Sequence, residues 1–239
     1  MADRRADAAV HSAKDLPAVT DPALRLAAVG ERDDPRDALV GATLDQLGRG
    51  AVIGTGSVRR RAQLAHLRPD LTFAELRGNI GTRLARAGEY DAIVMAAAAL
   101  RRLDLAALIA QLLEPDVVLP QVGQGAIAVE ARAGDEAVLA AAAAFDDGPT
   151  RRAVEAERAF LAVLGGGCSL PVGAFATLGA DATISLSALV AAEDGSVVVR
   201  ASAAGDDPVP LGREVAARVL AAGGAALLAG RGGPPGGLP

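Results

Sequence analysis

The single cysteine of this chain, Cys168, lies in the stretch Gly165-Gly166-Gly167-Cys168-Ser169-Leu170-Pro171-Val172-Gly173. Three glycines in a row let the backbone take positive φ and come close to a ligand. A helical pattern over 151–164 precedes the loop, and a strand-like run follows it. A lone thiol so placed is either an exposed nucleophile or a small buried hydrophobe. The loop alone leaves both readings open. A second polar cluster, His11-Ser12-Ala13-Lys14-Asp15-Leu16-Pro17, follows a short strand expected at 7–10. Pro17 stops regular structure there, and strand ends are where α/β proteins hold ligands. Lys14 and Asp15 make either a solvated surface pair or part of a site. His11 reads as a core or loop histidine before it reads as a base.

Anion chemistry is written more plainly further on. Ala51-Val52-Ile53-Gly54-Thr55-Gly56-Ser57 reads as a strand entering a glycine turn, with a helix over 58–67 stopped by Pro69. A helix N-terminus offers unpaired N–H groups to an anion. Thr55 and Ser57 add hydroxyls, and Arg59, Arg60 and Arg61 add charge. Arginines in a first turn oppose the helix dipole, a local cost that an anion would offset. The spacing is neither a P-loop nor a dinucleotide fingerprint. The pattern recurs: a strand at 71–76, the turn Arg77-Gly78-Asn79, and a helix over 80–87 bearing Arg83 and Arg86. A strand at 90–96 leads into an alanine-rich helix bearing Arg101 and Arg102. Three strand-helix units predict a parallel sheet with arginines gathered at its carboxyl edge, facing a ligand rich in carboxylates.

Composition agrees. Between Arg49 and Arg102 ten arginines face Asp70, Glu75, Glu89 and Asp91, a balance of +6 inside a chain of net charge −5. A basic segment in an acidic protein points to a local anion site rather than a polyanion surface. Lys14 is the only lysine. Aromatic residues are 2% of the chain, which argues against base stacking and so against single-stranded nucleic acid. The 239 residues are 51% hydrophobic, enough for a sizeable core, yet no apolar run reaches the length of a membrane span. One cysteine excludes an internal disulfide and suits a reducing cytoplasm. No metal-ligand pattern is present. The segment 31–37 is charged, contains Pro35, and reads as a hinge or domain crossing; 117–125 reads as another crossing loop. Later, 126–131 reads as a strand and 135–144 as a helix. Strands at 172–177, 183–190 and 197–203 and a helix over 211–222 close the pattern.

These residues together resemble the porphobilinogen deaminase (hydroxymethylbilane synthase) family. The matching blocks are Val10-His11-Ser12-Ala13-Lys14-Asp15-Leu16-Pro17, Glu31-Arg32-Asp33-Asp34-Pro35-Arg36-Asp37-Ala38, Gly54-Thr55-Gly56-Ser57-Val58-Arg59-Arg60, Leu76-Arg77-Gly78-Asn79-Ile80-Gly81-Thr82-Arg83-Leu84, Leu119-Pro120-Gln121-Val122-Gly123-Gln124-Gly125-Ala126 and the cysteine loop. Six blocks in the family's order are specific where any one would be weak. The resemblance implies a transferase that condenses four porphobilinogen molecules head to tail, releases ammonia and forms the linear tetrapyrrole hydroxymethylbilane. It implies a covalent dipyrromethane cofactor on Cys168 and Asp15 as the catalytic carboxylate. Ser12, Lys14, Thr55, Ser57, Arg59, Arg60, Arg77, Arg83 and Arg102 would line the cleft and hold acetate and propionate groups. The chemistry is consistent: a fixed carboxylate stabilises the azafulvene cation left when ammonia departs, and each added ring brings two more carboxylates.

The fold implied is α/β. Two doubly wound domains resembling periplasmic binding proteins, the first incomplete, precede a small α+β domain. The expected boundaries are 1–30 with 121–147, 35–118, and 150–229, with a disordered tail at 230–239. Relatives carry several tens of residues before the His-Ser-x-Lys-Asp block, so a misassigned start or a fragment is expected, with little activity in the chain as it stands. The competing reading is an inactive truncated fragment that only binds anionic small molecules. A cytoplasmic monomer is expected, with porphobilinogen as its partner and neither nucleic acid nor membrane.

Overall fold

The computed structural model describes residues 5–166 and 170–229. In chain order, β1 is Ala8–Ser12, β2 Leu24–Val29, β3 Asp37–Val40, β4 Val52–Gly54, α1 Val58–Leu67, β5 Thr72–Ala74, α2 Ile80–Ala85, β6 Ala92–Ala96, α3 Ala97–Arg101 and β7 Ile109–Leu113. Then come β8 Ile127–Arg132, α4 Glu136–Ala142, α5 Gly148–Val163, β9 Val172–Leu178, β10 Ile184–Ala191, β11 Val198–Gly205, α6 Pro208–Val219 and α7 Ala225–Ala229.

The five-stranded sheet has the order β5-β4-β6-β3-β7. Its first three strands are parallel, as the strand-helix repeats predict. β3 and β7 are not expected from the sequence, and they run antiparallel to their neighbours, so the sheet is mixed. β3 escapes notice because it is only four residues long and opens on a charged one, Asp37, at the end of the supposed hinge. β7 escapes because the alanine-rich helix is short. α3 ends at Arg101, and Asp104 takes a left-handed conformation (φ 58°) that turns the chain back. The continuous apolar run of β6 serves both faces of the sheet. Ala92 and Val94 pack with Leu39, Ile53 and Leu64 on one side, Ile93 and Met95 with Ala38, Leu76 and Leu100 on the other.

The first sheet, β1-β8-β2, is antiparallel throughout. This departs from the incomplete doubly wound unit expected there. β1 and β2 both flank β8, a strand that returns more than a hundred residues later, and only the tertiary path fixes its direction. β1 also extends through His11 and Ser12, two residues beyond expectation, so that Ala13–Asp15 form a tight helical turn at its end. The third sheet, β11-β10-β9, is the antiparallel meander its alternation predicts. α5 and α6 cover one face of it through Phe160, Val215 and Val219. α5 starts at Gly148, before the expected 151, because Asp147 caps it by accepting from the Thr150 N–H and Pro149 suits a first turn. Gly212 lets the two helices cross closely: a Cβ there would lie 2.3 Å from the Ala156 carbonyl oxygen.

The segment between β2 and β3 and the return segment before β8 run side by side. The Asp33 N–H donates to the Gly125 carbonyl at 3.1 Å. Glu157 of α5, 0% exposed, joins both to the third sheet. It accepts from Arg32 at 2.8 and 2.9 Å, from the Gly123 N–H at 2.7 Å and from the Ala176 N–H at 2.8 Å. Cys168 and the tail at 230–239 lie outside the described residues. Among the described residues no helix is long and apolar enough to cross a membrane.

Replacing Glu157 with alanine would leave the largely buried Arg32 guanidinium without its carboxylate, with only the Ala176 carbonyl to donate to, and two buried N–H groups without acceptors. The expected loss is about 3–5 kcal/mol of stability, measurable by urea unfolding.

Candidate functional site

Three elements converge on one cleft: the turn after β1, the N-terminal end of α1, and the region from the β5–α2 turn through α2. Gly123 holds the first of these in place. It sits at φ 72°, and a Cβ there would lie 2.9 Å from the Ala13 carbonyl carbon. The Ala13 N–H donates to the Ala126 carbonyl at 3.0 Å, and Gln121 Nε2 donates to the Lys14 carbonyl at 3.2 Å. The turn presents Lys14 and Asp15 to two adjoining cavities of about 540 and 480 Å³. Both are lined by Lys14, Asp15, Arg60 and Arg83. Ser57 and Arg77 complete the first; Ser12 and Arg102 belong to the second.

Charge in this lining is one-sided: five cationic side chains and a single carboxylate, Asp15. Asp15 is exposed and has no hydrogen bond or ion pair with another described residue. Arg83 donates from Nε to the Gly78 carbonyl at 2.7 Å and pairs with no carboxylate among the described residues. Burial and the neighbouring Arg60 both lower its pKa, yet a guanidinium stays charged at neutral pH. Arg77 pairs with Glu75 at the exposed rim. Arg102 donates to the Gly125 carbonyl at 2.5 Å and lies 3.9 Å from Asp33. Burial, then the charge of Arg60, brings the Lys14 ammonium down to about 8.

The predicted residues divide into two groups. Ser12, Lys14, Asp15, Ser57, Arg60, Arg77, Arg83 and Arg102 come together at the cleft. Thr55 and Arg59 are buried beneath it. Thr55 Oγ1 accepts from the Ser57 N–H at 3.2 Å, and Ser57 Oγ in turn accepts from the Arg60 N–H at 3.4 Å, so the two hydroxyls shape the turn and cap α1. Arg61 turns away and pairs with Glu193 at 3.2 Å.

The residue that sequence reasoning missed is Asp37. Its carboxylate is 0% exposed and lies 2.7 Å from Arg59 and 2.8 Å from Arg60. Arg60 also donates to the Val94 carbonyl at 3.0 Å, and Arg59 to that of Leu119 at 2.6 Å. Burial opposes the charge of Asp37, but the two guanidinium groups overcome it and hold the carboxyl far below its ordinary range. Gln124, also missed, donates to Asp37 at 2.9 Å. The available signal was an acid placed immediately before Ala38-Leu39-Val40, where a buried strand leaves a charge no water.

Sheets that converge on a cationic cleft with one unpaired carboxylate define an α/β protein suited to small organic anions. Two family models match the chain. One is described as porphobilinogen deaminase, dipyromethane cofactor binding domain, over residues 1–140; the other as porphobilinogen deaminase, C-terminal domain, over residues 151–221. The chain is 55% identical over 233 residues to porphobilinogen deaminase of Roseiflexus castenholzii, covering 95% of this chain and 76% of that one. Its identity to the Thermus thermophilus protein of the same name is 47%, over 96% and 78%. With that of Bacillus subtilis it is 45%, over 88% and 69%. The chain belongs to the porphobilinogen deaminase family.

A depressed carboxyl stabilises the fold fully above its unfolded value of about 3.9 and loses that contribution as pH falls toward the folded value. The wild type should therefore lose stability progressively below about pH 4. Asp37→Asn should be weaker at neutral pH by on the order of 3 kcal/mol and show a flatter acid limb in pH-dependent denaturation.

Proposed function

We propose that this chain acts as a porphobilinogen deaminase, a transferase that joins four porphobilinogen molecules head to tail into hydroxymethylbilane with release of ammonia. Family membership supports it, as do relatives of that name at 45 to 56% identity. An inactive anion binder is not favoured. The observation that carries the reading of the site is Asp15, an unpaired carboxylate facing a lining that is otherwise cationic.

In this reading Asp15 accepts a hydrogen bond from the pyrrole N–H of the incoming substrate. It stabilises the positive charge that develops there as ammonia leaves. Arg83, with its terminal nitrogens uncommitted among the described residues, and Arg77 at the rim clamp acetate and propionate groups. Lys14 adds a point charge beside Asp15. Arg60 is already engaged by Asp37 and Val94, so it contributes mainly a buried positive field, and Arg59 contributes through Asp37. Ser12, Ser57 and Arg102 complete the walls.

The donor set suits the dipyrromethane cofactor: five cations and two adjoining cavities match a molecule that carries several carboxylates. Cys168 is the attachment thiol in this reading; a thiolate attacking an aminomethylpyrrole-derived electrophile gives a stable thioether. When bound, the cofactor supplies the pyrrole carbon to which the first substrate is joined. The three sheets correspond in this proposal to domains at 1–30 with 121–147, 35–118, and 150–229. In this proposal the protein acts as a monomer, and the single thiol supports a cytoplasmic setting.

The test is porphobilinogen consumption and hydroxymethylbilane formation by the purified protein. Asp15→Ala should slow turnover at least about 10²-fold, the scale for deleting one preorganised electrostatic group, while retaining the bound cofactor. Near-normal tetrapyrrole formation by this variant would reduce Asp15 to a surface carboxylate. Cys168→Ser should lose the covalent adduct in the intact mass spectrum; an adduct of unchanged mass would place the anchor elsewhere.

A further inference from the structure

Gln124 lies in the return segment between the five-stranded sheet and the turn that carries Lys14. It is 1% exposed. Its Nε2 donates to the Pro35 carbonyl at 2.7 Å and to Asp37 Oδ1 at 2.9 Å. An amide nitrogen has two protons, and these acceptors take both. Its Oε1 therefore faces the opposite way, where Lys14 Nζ donates to it at 3.4 Å. The flipped amide would set a carbonyl against a carboxylate and N–H donors against an ammonium. The two flanking partners thus fix its orientation.

We infer that Gln124, locked by Asp37 and Pro35, is a positioning residue that holds the Lys14 ammonium in the cleft beside Asp15 to receive a substrate carboxylate. The inference rests on the cleft being the porphobilinogen site, although the hydrogen-bond chain itself does not. The other charged groups facing Lys14 include Asp15 on its own turn, Arg59 and Arg60 from α1, and Asp37 from β3. Arg83 of α2, and Arg102 just past α3, share its cavity. Burial, Arg60 and Arg59 disfavour the ammonium; Asp37 and Asp15 favour it. With the ammonium brought down to about 8, one accepted hydrogen bond sets how far above neutral pH it stays charged. The turn's backbone is held separately, by Ala126 and Gln121, so losing the Gln124 contact acts on the Lys14 side chain rather than on the turn.

Lys14 is the only lysine, so full-length protein grown on lysine labelled with ¹³C at Cε gives a single titrating signal. Wild type and Gln124→Met are compared at matched cofactor loading, checked by intact mass. Gln124→Met should lower the Lys14 midpoint by about one unit, the scale of a hydrogen bond to a charged group. A protonated Lys14 is the form that binds a carboxylate. The alkaline limb of kcat/KM should therefore move to lower pH by a similar interval, with KM rising more than kcat falls. A folded variant with an unmoved midpoint overturns the inference. If Gln124→Met does not fold, Gln124→Asn serves: its shorter amide no longer reaches Lys14, and the same fall in midpoint is expected. A lowered midpoint in a protein whose wild type does not consume porphobilinogen would sustain the positioning role and overturn the reading of the cleft.

Discussion

A carboxylate sealed from water beneath a helix N-terminus is the constraint on which the site depends. Burying one ion costs several kcal/mol unless its partners are close and well oriented. Asp37 Oδ1 meets that condition by accepting from Arg60 and Gln124, and Oδ2 lies in close ion-pair contact with Arg59. Two of these partners come from α1 and the third from the return segment, so satisfying one charge docks α1 onto β3 and draws the return segment over both. Two guanidinium groups share one carboxylate, which leaves the trio with a net positive charge. That residual charge lies under the cleft floor, where the low dielectric keeps it felt. The same field that favours an anionic ligand disfavours the Lys14 ammonium.

Glu157 plays the corresponding part at the other end of the crossing segments. Its four acceptor contacts join Arg32, Gly123 and Ala176, one from each of the three regions that meet there. Apolar packing alone is non-directional and would let these segments slide. Buried polar pairs tolerate little displacement, because breaking one strands a charge. The crossings are therefore fixed by geometry-sensitive interactions, while each sheet keeps its own main apolar core and one small cluster, Ala62 and Leu119 with Leu189 and Ala191, joins α1 to the third sheet.

The cleft lining is graded in depth. Arg77 is exposed at the rim, Arg83 is partly buried, and Arg60 is sealed and fully engaged. An arginine at the rim can swing to meet a ligand, whereas a sealed one acts only through its field. Asp15 is the sole negative group in this gradient and lies on the turn farthest from the arginine-bearing helices in sequence. Lys14 beside it is steered by Gln124 rather than by Asp15 alone.

By itself the sequence determined the chemistry and much of the local structure. Motif residues from Ser12 to Arg102 are contiguous blocks whose types survive any fold, and the helices of the strand-helix repeats carry their own caps at Ser57 and Asn79. The alternation of the third sheet was legible where one face is buried and the other wet, as over the first half of β10; further along, both faces are covered. Tertiary structure decided what depends on distant partners. β3 is short and buried on both faces, and β7 is a short edge strand behind an early helix end, so no clear period marks them. The direction of β8 beside β1 and β2 follows from the path of the whole chain. Arg59 and Arg60 read identically as residues, and both end buried on Asp37, yet only Arg60 also borders the cavities, because adjacent positions on a helix point in different directions. A charge declares its type in the sequence, but its partner and its access to water are properties of the folded chain.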